Sequence, residues 1–385
     1  MIIKSVSAKS IYDTKKEKTI SVTINTNVGD FSASAPNGKS TGKNESKPYK
    51  KNLDGDIKTL KDFTDYFSDE VIENLEDIRR VEDVTEGHIG ANSLFALESA
   101  VLKALAKKKN KKVWEVINPK AKKIHRLVGN SAEGGKHSIT SIDMRKPDFQ
   151  EFLLITLSVG KKAVEENKKF KKIIEVELKI NDKKFSGKTT YENAWQTSLN
   201  EKQVFDILRK TGLPIGVDIA ASSFYKRGKY YYKNPLLKRT VEEQENYLAN
   251  LIKNFDLFYI EDPFYEEDFS AFSRLLKKFP EKLIVGDDLT VTSVKRLEKA
   301  IKMKSINGII VKPNQCGSLL EVKEVCELAK KNKIKIIFSH RSGETKESIL
   351  ADLAVGFGAD FLKCGIDGPG RDVKLKRLME IEKEI

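Results

Sequence analysis

The sequence predicts an α/β protein: a (β/α) barrel that follows a smaller α+β unit. Three observations predict it. Short apolar runs recur through the second two thirds of the chain, with steps of 23 to 28 residues between Glu261 and Lys363, and each ends in a charged residue. The segments between them carry the apolar spacing of amphipathic helices. The first 60 or so residues instead alternate apolar and polar, as strands of a meander do.

In order, Ile2–Val6 and Thr19–Ile24 read as meander strands. The polar run PNGKSTGKNE (36–45) follows. Its lysine and Ser/Thr lack the glycine spacing of a phosphate-binding P-loop, and by spacing alone it is an ordinary turn. From Ile57 to about Lys112 the pattern is helical, clearest in Ser93–Val101, and AKKKNKK (106–112) reads as a helix end and a solvated turn. These features place an α+β capping domain at 1–122 and a catalytic barrel domain at 123–385.

The barrel strands are then legible one by one. Phe149–Ile155 carries Glu151 inside it. Ile215–Val217 ends in Asp218, Leu257–Ile260 in Glu261 and Asp262, and Leu283–Gly286 in Asp287 and Asp288. Ile309–Val311 ends in Lys312, Ile334–Phe338 in Ser339, His340, Arg341 and Ser342, and Asp360–Leu362 in Lys363. Between them, Val294, Leu297 and Ile301 share a helix face, and Ser318 with Glu321 forms a capping box ahead of Val322, Val325 and Ala329. Parallel strands of a barrel end on one rim, so these charged residues are expected to converge.

Composition narrows the partners. In 385 residues, 39% are hydrophobic and 33% charged, which suits a packed core. The net charge of +14 comes from scattered lysines without an aromatic nucleic-acid motif, so it reads as a solvated surface and implies no specific nucleic acid. Three cysteines form no disulfide framework. Neither a signal-peptide core nor a membrane span is present, and a cytoplasmic protein without a membrane partner is expected.

Asp218, Glu261 and Asp287 occupy matching strand-end positions. Brought together without a cation they repel and raise one another's pKa. An all-oxygen set favours Mg²⁺ over zinc. A lysine beside a dication and partly desolvated, Lys312 or Lys363, can serve as a base. His340, Arg341 and Ser342 supply donors that suit a phosphate or carboxylate. Together they point to proton abstraction next to a carboxylate, with metal neutralising the enolate oxygens.

At these residues the chain resembles the enolases. The resemblance is carried by SAPNGKSTG (34–42), GANSLFALESAV (90–101), QEF (150–152), GVDIAASSFY (216–225), YIEDPF (259–264), VGDDLTVT (285–292), VKPNQCGS (311–318), SHRSGET (339–345) and FLKCG (361–365). It implies an enolase-type modified TIM (β/α)8 barrel and the Mg-dependent interconversion of 2-phosphoglycerate and phosphoenolpyruvate. Two Mg²⁺ per site are implied, one on Asp218, Glu261 and Asp287, the other taking a ligand from Ser40 in a loop that acts as a lid. Lys312 is the implied base, and Lys363 holds the substrate carboxylate. Arg341 and Ser342 grip the phosphate beside His340. Gln150 and Glu151 lie in the proton-relay part of the site, and His137 belongs to a second loop. A homodimer or higher homo-oligomer is implied as well.

The chain also departs from the pattern. The run around the family's general acid is here TYENAWQTS (190–198), with Glu192 at the acid position between Tyr191 and Asn193. PGR (369–371) replaces Ser-Glu-Arg, and YDTKKEKT replaces YDSRGNPT, in regions that form the dimer interface of enolases. A diverged paralogue acting on a related phosphorylated hydroxy acid, and a non-catalytic binding protein, are the competing readings.

Overall fold

The computed structural model describes residues 1–38, 42–67, 71–136 and 145–385. Three antiparallel strands open it, β1 (Ile3–Tyr12), β2 (Lys18–Thr26) and β3 (Gly29–Ser34), in that spatial order. Alternation along β2 buries Ile20, Val22 and Ile24 on one face, against the helix Ala91–Lys108. The strands end at Ser34, earlier than the alternating composition suggests. A connection follows, and the helices begin at Leu53, where the side chain of Asn52 caps by accepting a 2.8 Å hydrogen bond from the Gly55 amide.

Eight strands form the closed barrel. They are β4 (Arg126–Glu133) and β5 (Glu151–Val159), then, past the short β6 (Trp195–Gln196) that pairs with the end of β4, β7 (Ile215–Asp218). Three small strands, β8 (Tyr225–Lys226), β9 (Lys229–Lys233) and β10 (Leu236–Arg239), form a separate sheet. The barrel continues through β11 (Tyr259–Glu261), β12 (Leu283–Gly286), β13 (Gly308–Val311), β14 (Lys335–Ser339) and β15 (Phe361–Lys363), which pairs back with β4. Val128, Leu153, Ile155, Tyr259, Leu283, Val285, Ile310, Ile337 and Phe361 fill the interior. Gly216 makes room for this filling, since a Cβ there would lie 2.8 Å from Ile155 Cδ1.

One strand breaks the parallel rule. β5 runs antiparallel to both β4 and β7. The chain therefore leaves β5 at the far end of the barrel and returns along the helix Gly160–Asn181. Residues 182–200 then lie at the rim, and the helix Glu201–Arg209 descends again before β7. Glu151, expected inside its strand, is the first residue of β5. Because that strand is reversed, its first residue lies on the same rim as the last residues of the others.

The N-terminal unit sits over that rim. Asn37 and Gly343 exchange backbone hydrogen bonds of 2.7 and 2.9 Å, and Ser46 donates its amide to the Gln315 carbonyl at 3.0 Å. Asn314 Nδ2 donates to the Pro36 carbonyl at 3.0 Å. Among the described residues no helix is long and apolar enough to cross a membrane.

Candidate active site

Asp218, Glu261 and Lys363 are the last residues of β7, β11 and β15, while Asp287, Lys312 and His340 directly follow β12, β13 and β14. Strand register sets Glu151 opposite Asp218, and Asp218 opposite Glu261. Lys363 reaches into this row. Its ammonium lies 2.8 and 2.9 Å from the two oxygens of Glu261, 3.1 Å from Glu151 Oε2 and 3.2 Å from Asp218 Oδ2.

Burial opposes the charge on Lys363, but Asp218, Glu151 and Glu261 more than offset it and hold its pKa well above the ordinary value. Glu261 is pushed the same way. Burial first, then the charge of Asp218, raise it well above the usual carboxylate range, and Lys363 relieves this only in part. Tyr259 donates its hydroxyl to Glu261 Oε2 at 2.6 Å from inside the barrel.

Asp287 pairs with Lys312. A ring of hydrogen bonds fixes the pair: Gln315 Nε2 donates to Asp287 Oδ1 at 3.2 Å, Thr292 Oγ1 donates to Gln315 Oε1 at 2.8 Å, and the Lys312 amide donates to Thr292 Oγ1 at 2.9 Å. Burial works against the Asp287 carboxylate, yet Lys312 outweighs it and its pKa is lowered. Burial likewise opposes the Lys312 ammonium, and Asp287 more than offsets it, so its pKa is raised.

The three expected metal carboxylates thus share the rim, with Asp218 and Glu261 closed on Lys363 and Asp287 on Lys312. Among the described residues, the carboxylates whose oxygens all lie within 4.8 Å of one another are Glu133, Glu151 and Glu192, and, separately, Asp262, Asp287 and Asp288. Asp262 is partly structural, accepting the amides of Asp287 at 2.9 Å and Asp288 at 2.7 Å. The donor set fits a hard cation. Four carboxylates, Glu151, Asp218, Glu261 and Asp287, pair among the described residues with the two ammonium groups of Lys312 and Lys363, and the raised pKa of Glu261 records the excess.

His340 Nε2 lies 3.3 Å from Glu192 Oε2, and Arg371 Nε donates to His340 Nδ1 at 3.3 Å. Arginine cannot accept, so Nδ1 is the acceptor and Nε2 carries the proton. Burial, aided by Arg371, holds the His340 pKa well below its ordinary value despite Glu192, so the ring is neutral. Asn130 Nδ2 also donates to Glu192 Oε2, at 3.5 Å.

Arg341 is held by Glu45 Oε1 at 2.7 Å and Asn314 Oδ1 at 3.2 Å. Gly38 lies so close that a Cβ there would fall 1.9 Å from an Arg341 nitrogen. Gly42 sits against Val291 and Asp288. Gln150 Oε1 and Ser342 Oγ are buried with no hydrogen-bond partner among the described residues. All of this surrounds one pocket of about 330 Å³, lined by Gly38, Gln150, Glu151, Glu192, Asp218, Lys312, Ser339, His340, Arg341, Ser342 and Lys363.

Most of the expected residues therefore meet in one place, and Glu261 and Asp287 stand directly behind its wall. Ser40 and His137 lie outside the described residues. The sequence reading did not find β4, and with it missed Asn130 and Glu133. Nor did it give a site role to Arg371, which is fully buried and donates to the carbonyls of Tyr191, Arg341 and Ser342 at 3.0–3.2 Å. Most of its bonds go to backbone carbonyls, which no side-chain pattern in the sequence marks. The available signal was its position eight residues after Lys363, on the loop that closes the barrel.

Comparison with known proteins agrees with this architecture. The family model described as "Enolase, C-terminal TIM barrel domain" matches residues 128–385. An enolase of Methanosphaera stadtmanae is 35% identical over 410 residues, covering 100% of this chain and 97% of the relative. One of Methanocorpusculum labreanum is 34% identical, covering 99% and 98%. One of Pyrobaculum aerophilum is 39% identical over 274 residues, covering 68% and 64%. With the family's TIM barrel domain matched over residues 128–385 and relatives aligned from end to end, the chain belongs to the enolase family and is a lyase.

Proposed function

We propose that this chain catalyses the reversible, Mg²⁺-dependent dehydration of 2-phospho-D-glycerate to phosphoenolpyruvate. The supporting observation is that a lysine (Lys312), a buried carboxyl group (Glu192) and a donor cluster (Arg341, Ser342) line one small pocket backed by excess carboxylate. Asp218, Glu261 and Asp287 would hold one Mg²⁺, and Ser40, between Gly38 and Gly42, would contribute to a second. When bound, the cations would neutralise charge developing on the substrate carboxylate and draw Asp287 away from Lys312, lowering the lysine's pKa.

Lys312 takes the proton from C2, and the electron pair moves into the carboxylate as an enediolate. Lys363 stabilises that carboxylate. Collapse of the enediolate forms the C2–C3 double bond and breaks the C3–O bond, and Glu192 delivers a proton to the departing hydroxyl, releasing water. Neutral His340 donates to Glu192 and fixes its orientation. Gln150 and Glu151 line the wall on this side. Arg341 and the unpartnered hydroxyl of Ser342 hold the phosphate. His137, outside the described residues, would add a substrate contact by the resemblance to the enolases.

The test is phosphoenolpyruvate formation followed by ultraviolet absorbance, with and without Mg²⁺. Activity should require the metal, and Lys312→Ala should abolish turnover while the fold persists. Full activity in Lys312→Ala would remove the base assignment.

A further inference from the structure

The turn that carries Glu192 is pinned from outside the pocket. Residues 190–194 form a tight turn in which the Thr190 and Ala194 backbones bond at 2.9 Å, and Thr190 Oγ1 accepts the amides of Glu192 at 3.2 Å and Ala194 at 3.3 Å. Asn193 sits in the left-handed region with φ +62°, where asparagine and glycine are the residues best tolerated. Its Nδ2 donates to Asp367 Oδ1 at 2.6 Å.

Lys171 pairs with the same carboxylate oxygen. Its carbonyl accepts from Trp195 Nε1 at 3.1 Å, and its ammonium lies 5.6 Å from the Trp195 ring centre. Gly368 is required next to Asp367, because a Cβ there would lie 2.8 Å from Asn193 Cβ. On the other side of Glu192, the Tyr191 carbonyl accepts from Arg371 at 3.2 Å. Both sequence neighbours of Glu192 are therefore tied to the segment from Asp367 to Arg371.

We propose that Asp367 is a positioning residue: through Asn193, and braced by Lys171, it holds the Glu192 carboxyl at the wall of the pocket that Lys312 also lines. This rests on Glu192 being the proton donor to the leaving hydroxyl. Asn193, in the acid turn, and Asp367, beyond Lys363, form one contact. A turn released from it still binds substrate, because the anion-binding residues lie elsewhere, but presents its carboxyl group out of line. A displacement of about 1 Å costs on the order of 100-fold in rate.

The test compares Asn193→Gly, Asn193→Asp and the double variant Asn193→Asp with Asp367→Asn, alongside Glu192→Gln. Asn193→Gly keeps the backbone conformation and deletes the bond. Asn193→Asp sets two carboxylates against each other, and the double variant restores the bond with donor and acceptor exchanged. Expected are a fall in kcat of about tenfold or more in both single variants, KM within about twofold, and recovery of most of kcat in the double variant. Single variants with wild-type kcat, or a double variant no faster than Asn193→Asp, overturn the proposal. If those variants are unaffected while Glu192→Gln is slow, the positioning role alone falls. A Glu192→Gln protein with wild-type kcat removes the acid assignment, and the positioning role with it.

Discussion

The hydroxyl of Tyr259 donates a 2.6 Å hydrogen bond to Oε2 of Glu261, and both side chains are fully buried where the barrel filling meets the rim. The two residues are two apart on β11, so both point inward. A phenol in the packed interior thereby orients a carboxylate proposed to bind metal.

Tyr259→Phe removes that donor and little else. Partners of this kind, when removed, cost metal sites about 10- to 100-fold in affinity. Calorimetric titration with Mg²⁺ should show a loss in that range. An unchanged dissociation constant would mean that Glu261 is oriented without Tyr259.

Lys363 compensates Asp218, Glu261 and Glu151 at once. Lys363→Met should destabilise the metal-free protein by about 3–5 kcal/mol, as expected when one partner of a buried charge cluster is lost. Saturating Mg²⁺ should recover part of this, because a cation that binds only the folded state stabilises it. Thermal melts in chelator and in excess Mg²⁺ report both effects.

Gly38→Ala is expected to act on binding. Its Cβ would enter the space of the Arg341 guanidinium, which must then leave Glu45 and Asn314. Losing one charge-assisted contact to substrate costs about 1.5–3 kcal/mol, a rise in KM of roughly 10- to 100-fold. Steady-state kinetics with 2-phosphoglycerate measure it.

His125 gives a pH dependence remote from the pocket. Its ring is fully buried against the Ala359 carbonyl at 3.1 Å, and burial lowers its pKa from 6.5 to about 4. The unfolded chain therefore binds the proton first. The stabilisation by neutral His125 is complete above pH 6.5 and is lost as pH falls toward 4. The difference amounts to about 3 kcal/mol. Denaturant unfolding of wild type and His125→Asn across this range should show a shallower acid decline in the variant.

How much of this was legible follows from what each residue does. Strands β11 to β14 are buried on both faces, so they read as unbroken apolar runs ending in Glu261, Asp287, Lys312 and Ser339-His340. β4 is just as buried, but Gly129, Asn130, Ser131 and Glu133 break up its apolar run: Asn130 Nδ2 donates to Glu133, and Ser131 Oγ to the Phe152 carbonyl of β5, rather than to water. The reversal of β5 was not legible at all. An apolar run such as Phe149–Ile155 has no direction of its own. The tie between Asn193 and Asp367 joins positions 174 apart in sequence, and no local pattern encodes such a partner.

The reversed β5 has a consequence for how this protein can change. In a regular barrel each loop at the mouth springs from the end of a strand. Here the segment with Glu192 bridges two outer helices, Gly160–Asn181 and Glu201–Arg209, and its strand pairing with the barrel is the two-residue β6. That segment can be rewritten, lengthened or exchanged between relatives while the staves stay as they are, which makes it the natural place to graft a new leaving-group preference.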